Sequence, residues 1–164
     1  MKKIIFALAS CAILASCVKD EDKDPIDVSK TTYLKDGRWQ LKKSTWLPSV
    51  DDSTNVPVNV YEPLAGCEKD NFLIFNNNTT VSRYEGLSKC EVGAPDSLVY
   101  SYELVDNDGF LRIWSNPEDK DNSIILAGKA TYPSIDTFFV TYRLPHPQDS
   151  SLTSEYVKTY VKQK

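Results

Sequence analysis

The sequence has very few of the residues that nucleophilic and metal sites require. It contains one histidine, His146, between two prolines, and none of its four cysteines belongs to a Cys-x-x-Cys pair. A serine or cysteine nucleophile needs a nearby base, and one imidazole with no acidic partner does not make a triad. Structural zinc sites need about four ligands. We therefore predict no enzymatic activity, no metal and no cofactor.

No apolar run is long enough to span a membrane. The longest, residues 4–15, is shorter than the roughly 20 apolar residues of a transmembrane helix and follows Lys2 and Lys3. This layout is typical of a secretory signal peptide. Its end, Leu14-Ala15-Ser16-Cys17, resembles the lipobox of bacterial lipoproteins, which implies cleavage before Cys17 and acylation of that cysteine.

The motif Leu-Ala-Ser-Cys occurs twice, ending at Cys11 and at Cys17. Cleavage before Cys11 would leave a short apolar run, residues 4–10, and would place an unexplained apolar remnant on the mature end. We therefore predict that residues 1–16 are the signal peptide and that Cys17 is the lipid anchor. Three acyl chains would hold the protein on the membrane stably, because two already suffice.

A hydrophilic, acidic segment follows Cys17 and extends over residues 17–33. Its composition predicts a solvated tether. An acidic run at this place resembles the surface-export signal of lipoproteins in some gut-dwelling Gram-negative bacteria. We therefore expect an outer-membrane lipoprotein that is displayed on the surface rather than facing the periplasm.

The chain has fewer positive than negative side chains, 19 Lys and Arg against 23 Asp and Glu. Its formal net charge is −4, and loss of Lys2 and Lys3 with the signal peptide makes it −6. Nucleic-acid binding needs a basic surface, so we predict no nucleic-acid partner. The remaining residues, 34–164, are enough for one domain with its own core.

Two cysteines, Cys67 and Cys90, remain in that domain. In an oxidising compartment an even pair indicates a disulfide, and a metal site would lack further ligands. We predict a Cys67 to Cys90 bridge.

Helical periodicity is scarce after residue 30, where short apolar runs are separated by Gly, Pro, Asn and Asp. In residues 97–105, strict alternation places Leu98, Tyr100, Tyr102 and Leu104 on one face of a strand. The Asp-Asn-Asp-Gly sequence that follows predicts a hairpin with Gly109 at positive φ. Further strands are predicted at 38–47, 56–61, 72–75, 79–84, 110–115, 123–132 and 135–144.

Residues 153–162 fit either a helix or a strand. Tyr156 and Tyr160 are four apart, as on one helix face, but the β-branched and aromatic content favours a strand. About nine strands result, joined mostly by short turns. They predict an all-β domain, either an antiparallel up-and-down barrel of eight or nine strands, whose closure removes exposed edges, or a two-sheet β-sandwich.

Two stretches resemble lipocalin-like proteins. Gly37-x-Trp39 looks like the Gly-x-Trp signature that opens lipocalin barrels. Residues 67–90 resemble a pattern of lipocalin-like domains in lipoproteins of the same gut-bacterial group, and the matching positions are Cys67, Lys69, Asp70, Phe75, Asn76 and Cys90. The resemblance covers about residues 36–144 and implies a lipocalin-like barrel whose cysteine pair joins a hairpin to the turn before it.

Alternating aromatic residues in such a barrel either fill its interior or line a ligand pocket. The candidates are Trp39, Tyr100, Tyr102, Phe110, Trp114, Phe138 and Tyr142. Our leading hypothesis is that the protein binds a small apolar or amphipathic ligand. The alternative is a non-enzymatic surface accessory protein that acts through rim loops, such as the Pro-rich segment 46–66. The sequence identifies no protein partner.

Overall fold

The structure, a computed structural model, describes residues 30–164. The predicted signal peptide, Cys17 and residues 18–29 lie outside the described residues. The described chain has the elements α1 (Lys30–Lys35), β1 (Arg38–Leu47), β2 (Val58–Asn59), α2 (Gly66–Lys69), β3 (Phe72–Phe75), β4 (Thr80–Tyr84), β5 (Ser97–Val105), β6 (Phe110–Trp114), β7 (Ile124–Ser134), β8 (Thr137–His146) and β9 (Asp149–Gln163). Neither helix of residues 30–164 has the length and apolar character needed to cross a membrane.

The strands form one antiparallel sheet that closes on itself. Closure comes from β1, which pairs with β9 along its whole length, from Arg38 opposite Gln163 to Leu47 opposite Glu155. Strands β1 and β3 to β9 make an eight-stranded up-and-down barrel, and β2 is an extra short strand beside β1. The predicted all-β, lipocalin-like barrel is confirmed, and the sandwich alternative is wrong for the described chain.

The last segment is a strand and not a helix. β9 pairs with β8 on one side and with β1 on the other, so both edges of its backbone are satisfied. Alternation places Tyr156, Lys158 and Tyr160 on the inner face, opposite the inner residues of β8. A helix would leave β1 and β8 with unpaired edges, which is why tertiary pairing reinforces the β propensity of this segment.

Two short helices and a shortened strand were not predicted. α1 takes in residues 30–33, the last four residues of the range assigned to the tether. β2 is confined to Val58–Asn59 instead of residues 56–61. Pro57 has no N–H to donate to a sheet, and Asn59 Oδ1 accepts hydrogen bonds from the backbone N–H groups two and three residues later, which turns the chain away.

The β5–β6 hairpin turns at the predicted sequence but with different dihedral angles. Asp106, Asn107 and Asp108 take φ values of 54°, 55° and 63°. The prediction that Gly109 has a positive φ is wrong; its N–H instead donates to the Asp106 carbonyl at 3.0 Å and closes the turn. Asp and Asn visit the left-handed region more readily than other non-glycine residues, because their short side chains can hydrogen-bond locally.

One end of the barrel, the closed end, is sealed by α1. Leu34 of α1 is fully buried, and its carbonyl oxygen accepts a 2.7 Å hydrogen bond from Trp39 Nε1. Gly37 has φ 147°, and a Cβ at this position would lie 2.5 Å from Cε of Lys162. The Gly-x-Trp motif is thus explained: the glycine makes the turn into β1, and the tryptophan plugs the barrel.

The interior next to the closed end is packed solid. Trp39 meets Phe138 edge-on with ring centroids 5.0 Å apart, and Phe75 meets Tyr102 in the same way at 4.8 Å. Val81, Leu111 and Val140 are completely buried around them. Burial raises the pKa of Tyr102 to about 12, and its hydroxyl donates to the Asn77 carbonyl at 2.6 Å. These residues therefore form core, and any ligand space must lie toward the other end.

Candidate ligand-binding cavity

The other end of the barrel, the open end, encloses a cavity of about 470 Å³. Such a volume lies within the usual range for small-molecule sites, about 300 to 1,000 Å³. The lining is mainly apolar and aromatic: Trp39, Leu41, Ser44, Val60, Leu64, Glu68, Asn71, Phe72, Leu73, Arg83, Tyr100, Ile113, Ile125, Leu126, Tyr142, Tyr156, Lys158 and Tyr160. Trp39 forms the boundary between this cavity and the solid core of the closed end.

Stacked aromatic rings form one wall of the cavity and lead to its mouth. Tyr142 of β8 stacks on Tyr156 of β9 with ring centroids 5.2 Å apart. Tyr156 stacks in turn on Trp46, at 6.4 Å, and Trp46 contacts the ring of His146 at 5.7 Å. Burial raises the pKa of the Tyr142 hydroxyl, with a further contribution from Tyr156, so Tyr142 stays neutral at physiological pH.

The segment between β1 and β3 builds another wall. β1 pairs with β3 only at Trp39 and Gln40, and further along it pairs with β2 instead. The barrel therefore opens between β1 and β3, and the cavity there is lined by Val60, Leu64 and Glu68 of the intervening segment. The Pro-rich segment that the sequence suggested as a rim loop is thus part of the candidate site.

The cysteine pair holds this wall in place. Cys67 in α2 is bonded to Cys90, with Cα atoms 5.2 Å apart, as predicted. The bridge joins the turn before the β3–β4 hairpin to the loop after it, which agrees with the resemblance. Gln40 Nε2 of β1 adds a 2.7 Å hydrogen bond to the Lys69 carbonyl of α2. The position of Glu68 at the cavity is therefore fixed by its neighbours on both sides.

Two other residues of the resembling pattern support the same region. The Asp70 carboxylate accepts a 3.0 Å hydrogen bond from the Ser88 N–H, in the loop that carries Cys90. A Cβ on Gly86 would lie 2.2 Å from Cγ of Asp70, so this close approach requires glycine. Lys69 Nζ donates to the Glu62 carbonyl at 2.8 Å. These residues are structural supports of the cavity wall.

Three charged side chains line the cavity, and they differ in how they are paired. Glu68 Oε2 accepts a 3.0 Å hydrogen bond from the Ala65 N–H. Arg83 Nη2 lies 3.1 Å from Glu85 Oε1. The Lys158 ammonium forms no ion pair or hydrogen bond with any described residue, and burial lowers its pKa. The sequence analysis did not single out Lys158, although its position between Tyr156 and Tyr160 was a usable signal.

The structure divides the predicted aromatic candidates into three groups. Trp39, Tyr100 and Tyr142 line the cavity. Tyr102 and Phe138 belong to the solid core. Trp114 and Phe110 lie on the outer face, where Lys120 Nζ is 4.9 Å from the Trp114 ring and the Arg112 guanidinium is 5.4 Å from the Phe110 ring.

His146 is the last residue of β8, two residues beyond the end of the strand predicted at 135–144. Its Nδ1 accepts a 3.2 Å hydrogen bond from the Gln148 N–H, and its ring lies against Trp46. In residues 30–164, His, Cys, Asp and Glu side chains form no group of three or more that could hold a metal ion. His146 thus has a visible role in packing at the mouth.

No family model and no curated protein matches this sequence. Among solved structures, the chain is similar to "Bovine Odorant Binding Protein deswapped triple mutant", with 13% sequence identity and a TM-score of 0.36. The similarity covers 77% of this chain and 72% of that chain.

Proposed function

We propose that the protein is a lipid-anchored, extracytoplasmic lipocalin-like protein that binds a small apolar or amphipathic ligand in the open-end cavity. The observation that carries this proposal is the division of the barrel interior. One half is packed solid around Trp39, whereas the other half encloses about 470 Å³ between apolar and aromatic walls. An eight-stranded barrel can either be filled by side chains or hold one small ligand. In this barrel, side chains fill the closed end, and the open end has space for a ligand.

The proposal is tested by binding of a neutral apolar fluorescent probe, such as N-phenyl-1-naphthylamine, to protein stripped of lipid. We expect saturable binding with one site per chain. Extraction of natively purified protein followed by mass spectrometry should release a recurrent small molecule. A barrel that binds no probe and is reproducibly empty would contradict the proposal.

A matched pair of variants locates the binding site. Leu41 of β1 lines the cavity, whereas Lys43 on the same strand is exposed on the outer face, opposite Thr159. Leu41→Trp should reduce probe binding by filling the cavity, and Lys43→Trp should leave it unchanged. Equal effects of the two substitutions would place the probe elsewhere.

The anchoring and location parts of this proposal are supported by the sequence features of residues 1–33. They are tested by biotinylation of intact cells with a reagent that does not cross membranes. Labelling of the protein before cell lysis is expected for surface display. Labelling only after permeabilisation of the outer membrane would place the protein on the periplasmic side.

A second function, contact with another protein through rim loops, is favoured by one observation. Leu87 and Val92 are fully exposed in the loop that the disulfide ties to α2. Cross-linking from intact cells, compared between wild type and a Leu87→Ser, Val92→Ser variant, tests this function. Recovery of no recurrent partner, or of the same partner from both proteins, would count against it.

A further inference from the structure

We infer that the cavity selects a ligand with an apolar body and a negatively charged head group, and that the Lys158 ammonium contacts that head group. The inference rests on the proposed function, because it specifies the ligand of the same cavity. It depends on the placement of one cation, on its lack of a partner and on the apolar walls around it.

Lys158 faces the interior of the barrel. It stands opposite Val140 of β8 and Ser44 of β1, both of which are buried inner-face residues. Its neighbours in β9 on the same face are Tyr156 and Tyr160, which also line the cavity. The β9 backbone, hydrogen-bonded on both edges, leaves this side chain no route to the outer surface other than through the cavity mouth.

The Lys158 ammonium has no anionic partner among residues 30–164. Nζ instead makes a cation–π contact with the Tyr142 ring, whose centroid is 5.8 Å away. The other cation of the cavity, Arg83, is paired with Glu85. The carboxylate of Glu68 is engaged by the Ala65 N–H and forms no ion pair with Lys158. The Lys158 ammonium therefore lacks an ion-pair partner in the cavity, although the Glu68 carboxylate also lines it.

Such a charge is unfavourable for the empty barrel. Burial makes the charged form less stable and lowers the pKa of Lys158, and no ion pair offsets this cost. An apolar side chain of similar length would fill the same position without it. Buried charges without an ion-pair partner occur at functional sites, where a ligand supplies the missing partner.

Arg83 is the second cation of the lining, and its charge is already paired, because its Nη2 lies 3.1 Å from Glu85 Oε1. Its Nε is buried, has no hydrogen-bond partner among the described residues and does not contact the open space of the cavity. A charge-assisted hydrogen bond to an anion is about twice as strong as a neutral one. Lys158 is therefore the cation of the lining that is available to an anionic group.

The rest of the lining is suited to a hydrocarbon. Leu41, Leu73, Ile113 and Leu126 come from four different strands and line the cavity with apolar carbon. A small or highly charged anion would leave these surfaces unfilled. The walls and the Lys158 ammonium together indicate an anionic amphiphile, with either a carboxylate or a phosphate head.

The test compares ligands of one chain length and different head groups. Dodecanoate, dodecyl phosphate, 1-dodecanol and dodecylamine compete with the neutral fluorescent probe on delipidated protein, below the critical micelle concentration of each. We expect at least one anion to bind about tenfold or more tighter than the alcohol, and the amine to bind most weakly. The ratio of the two anions shows which head group is preferred.

Three variants assign the preference to its residue. Lys158→Met should reduce the anion preference to less than about threefold while dodecanol still binds, which also shows that the variant is folded. Lys158→Arg should keep the preference. Lys43→Met removes the same charge from the outer face of the neighbouring strand and should change nothing.

The outcomes separate this inference from the proposed function. If dodecanol and both anions bind equally to the wild-type protein, the charge inference is overturned and ligand binding stands. If the anion preference survives in Lys158→Met, the inference is also overturned, since the preference has another origin. If neither the probe nor any of the four ligands binds, both proposals fail.

Discussion

At the scale of single residues, Trp39 and Trp114 have opposite roles. Trp39 closes the barrel from inside and donates its indole N–H to a buried carbonyl. Trp114 lies on the outer face, and its Nε1 is buried without a hydrogen-bond partner among the described residues. The same side chain therefore contributes a hydrogen bond in one place and only ring contacts in the other.

We predict that Trp39→Phe lowers the free energy of unfolding by about 1–3 kcal/mol beyond the loss of ring area, because it leaves the Leu34 carbonyl unsatisfied in the core. Trp114→Phe is the matched control, and it removes an N–H that bonds nothing described. Urea denaturation of both variants measures the difference. Equal destabilisation by the two substitutions would show that the Trp39 hydrogen bond contributes nothing.

Lys158 illustrates how a functional residue can oppose stability. Its pKa is lowered by burial, so between that pKa and its ordinary value of 10.5 the unfolded chain binds more protons than the folded one. The contribution of Lys158 to the free energy of unfolding therefore rises with pH across that window. The titratable groups that line the cavity with Lys158 are Glu68, Arg83, Tyr100, Tyr142, Tyr156 and Tyr160.

We predict that Lys158→Met raises the thermal midpoint by a few degrees at neutral pH, since an apolar side chain replaces an unpaired charge. The gain should shrink as the pH rises toward 10.5, because the lowered pKa makes the wild-type lysine lose its proton below that value. Calorimetry at a series of pH values checks both parts. A variant that is less stable than wild type at neutral pH would show that Lys158 has a stabilising partner.

At the scale of elements, the segment between β1 and β3 is the least regular part of the wall and depends on external supports. The two residue pairs of β2 join it to β1, and two hydrogen bonds join its start to β9: the Val50 N–H donates to the Thr153 carbonyl at 3.0 Å, and the Ser154 hydroxyl donates to the Pro48 carbonyl at 2.7 Å. The Cys67 to Cys90 bridge, the Gln40 to Lys69 hydrogen bond and the Asp70 to Ser88 hydrogen bond hold the rest. Since this segment lines the cavity, these supports also determine the shape of the site.

We predict that Cys67→Ser lowers the thermal midpoint under oxidising conditions, because a bridge between residues 23 apart stabilises by about 3 kcal/mol through loss of unfolded-state entropy. Binding of the neutral probe should also weaken, as α2 is no longer tied to the following loop. Cys90→Ser should reproduce both effects, and reduced wild-type protein should match the variants. An unchanged midpoint would show that the bridge does not form in solution.

At the scale of the whole molecule, the two ends of the barrel differ in how they connect to the rest of the chain. α1 begins at the closed end, so the residues between Cys17 and Lys30 join the barrel there. Twelve residues can span at most about 40 Å. On the proposal that Cys17 carries lipid, the closed end lies nearer the membrane and the mouth opens toward the surrounding medium. Such an arrangement suits capture of a ligand from outside the cell.

We predict that Cys17→Ala releases the protein from membranes or blocks its processing, because the substitution removes the acylated thiol. Cys11→Ala is the control and should have no effect. Membrane fractionation and labelling with a radioactive fatty acid measure the outcome. Loss of labelling in Cys11→Ala with retention in Cys17→Ala would reverse the assignment of the anchor.

The sequence by itself determined the fold class, the approximate position of most strands and the cysteine pairing. Alternation in residues 97–105 is a local property, and the Gly37-x-Trp39 turn depends on neighbours in the chain. The short helices were missed because a single turn has no periodicity to detect, and α1 is held in place by the burial of Leu34.

The tertiary structure alone decided which half of the interior is filled and which charge remains unpaired inside it. The cavity is the volume that remains after side chains from all eight barrel strands and the β1–β3 segment have packed. Its size and position therefore cannot be read from the sequence pattern of any one strand. Period-two alternation shows that Lys158 shares a face with Tyr156 and Tyr160. Closure of β9 onto β1 turns that face inward, where Lys158 forms no ion pair with any described carboxylate, and gives the lysine its proposed role.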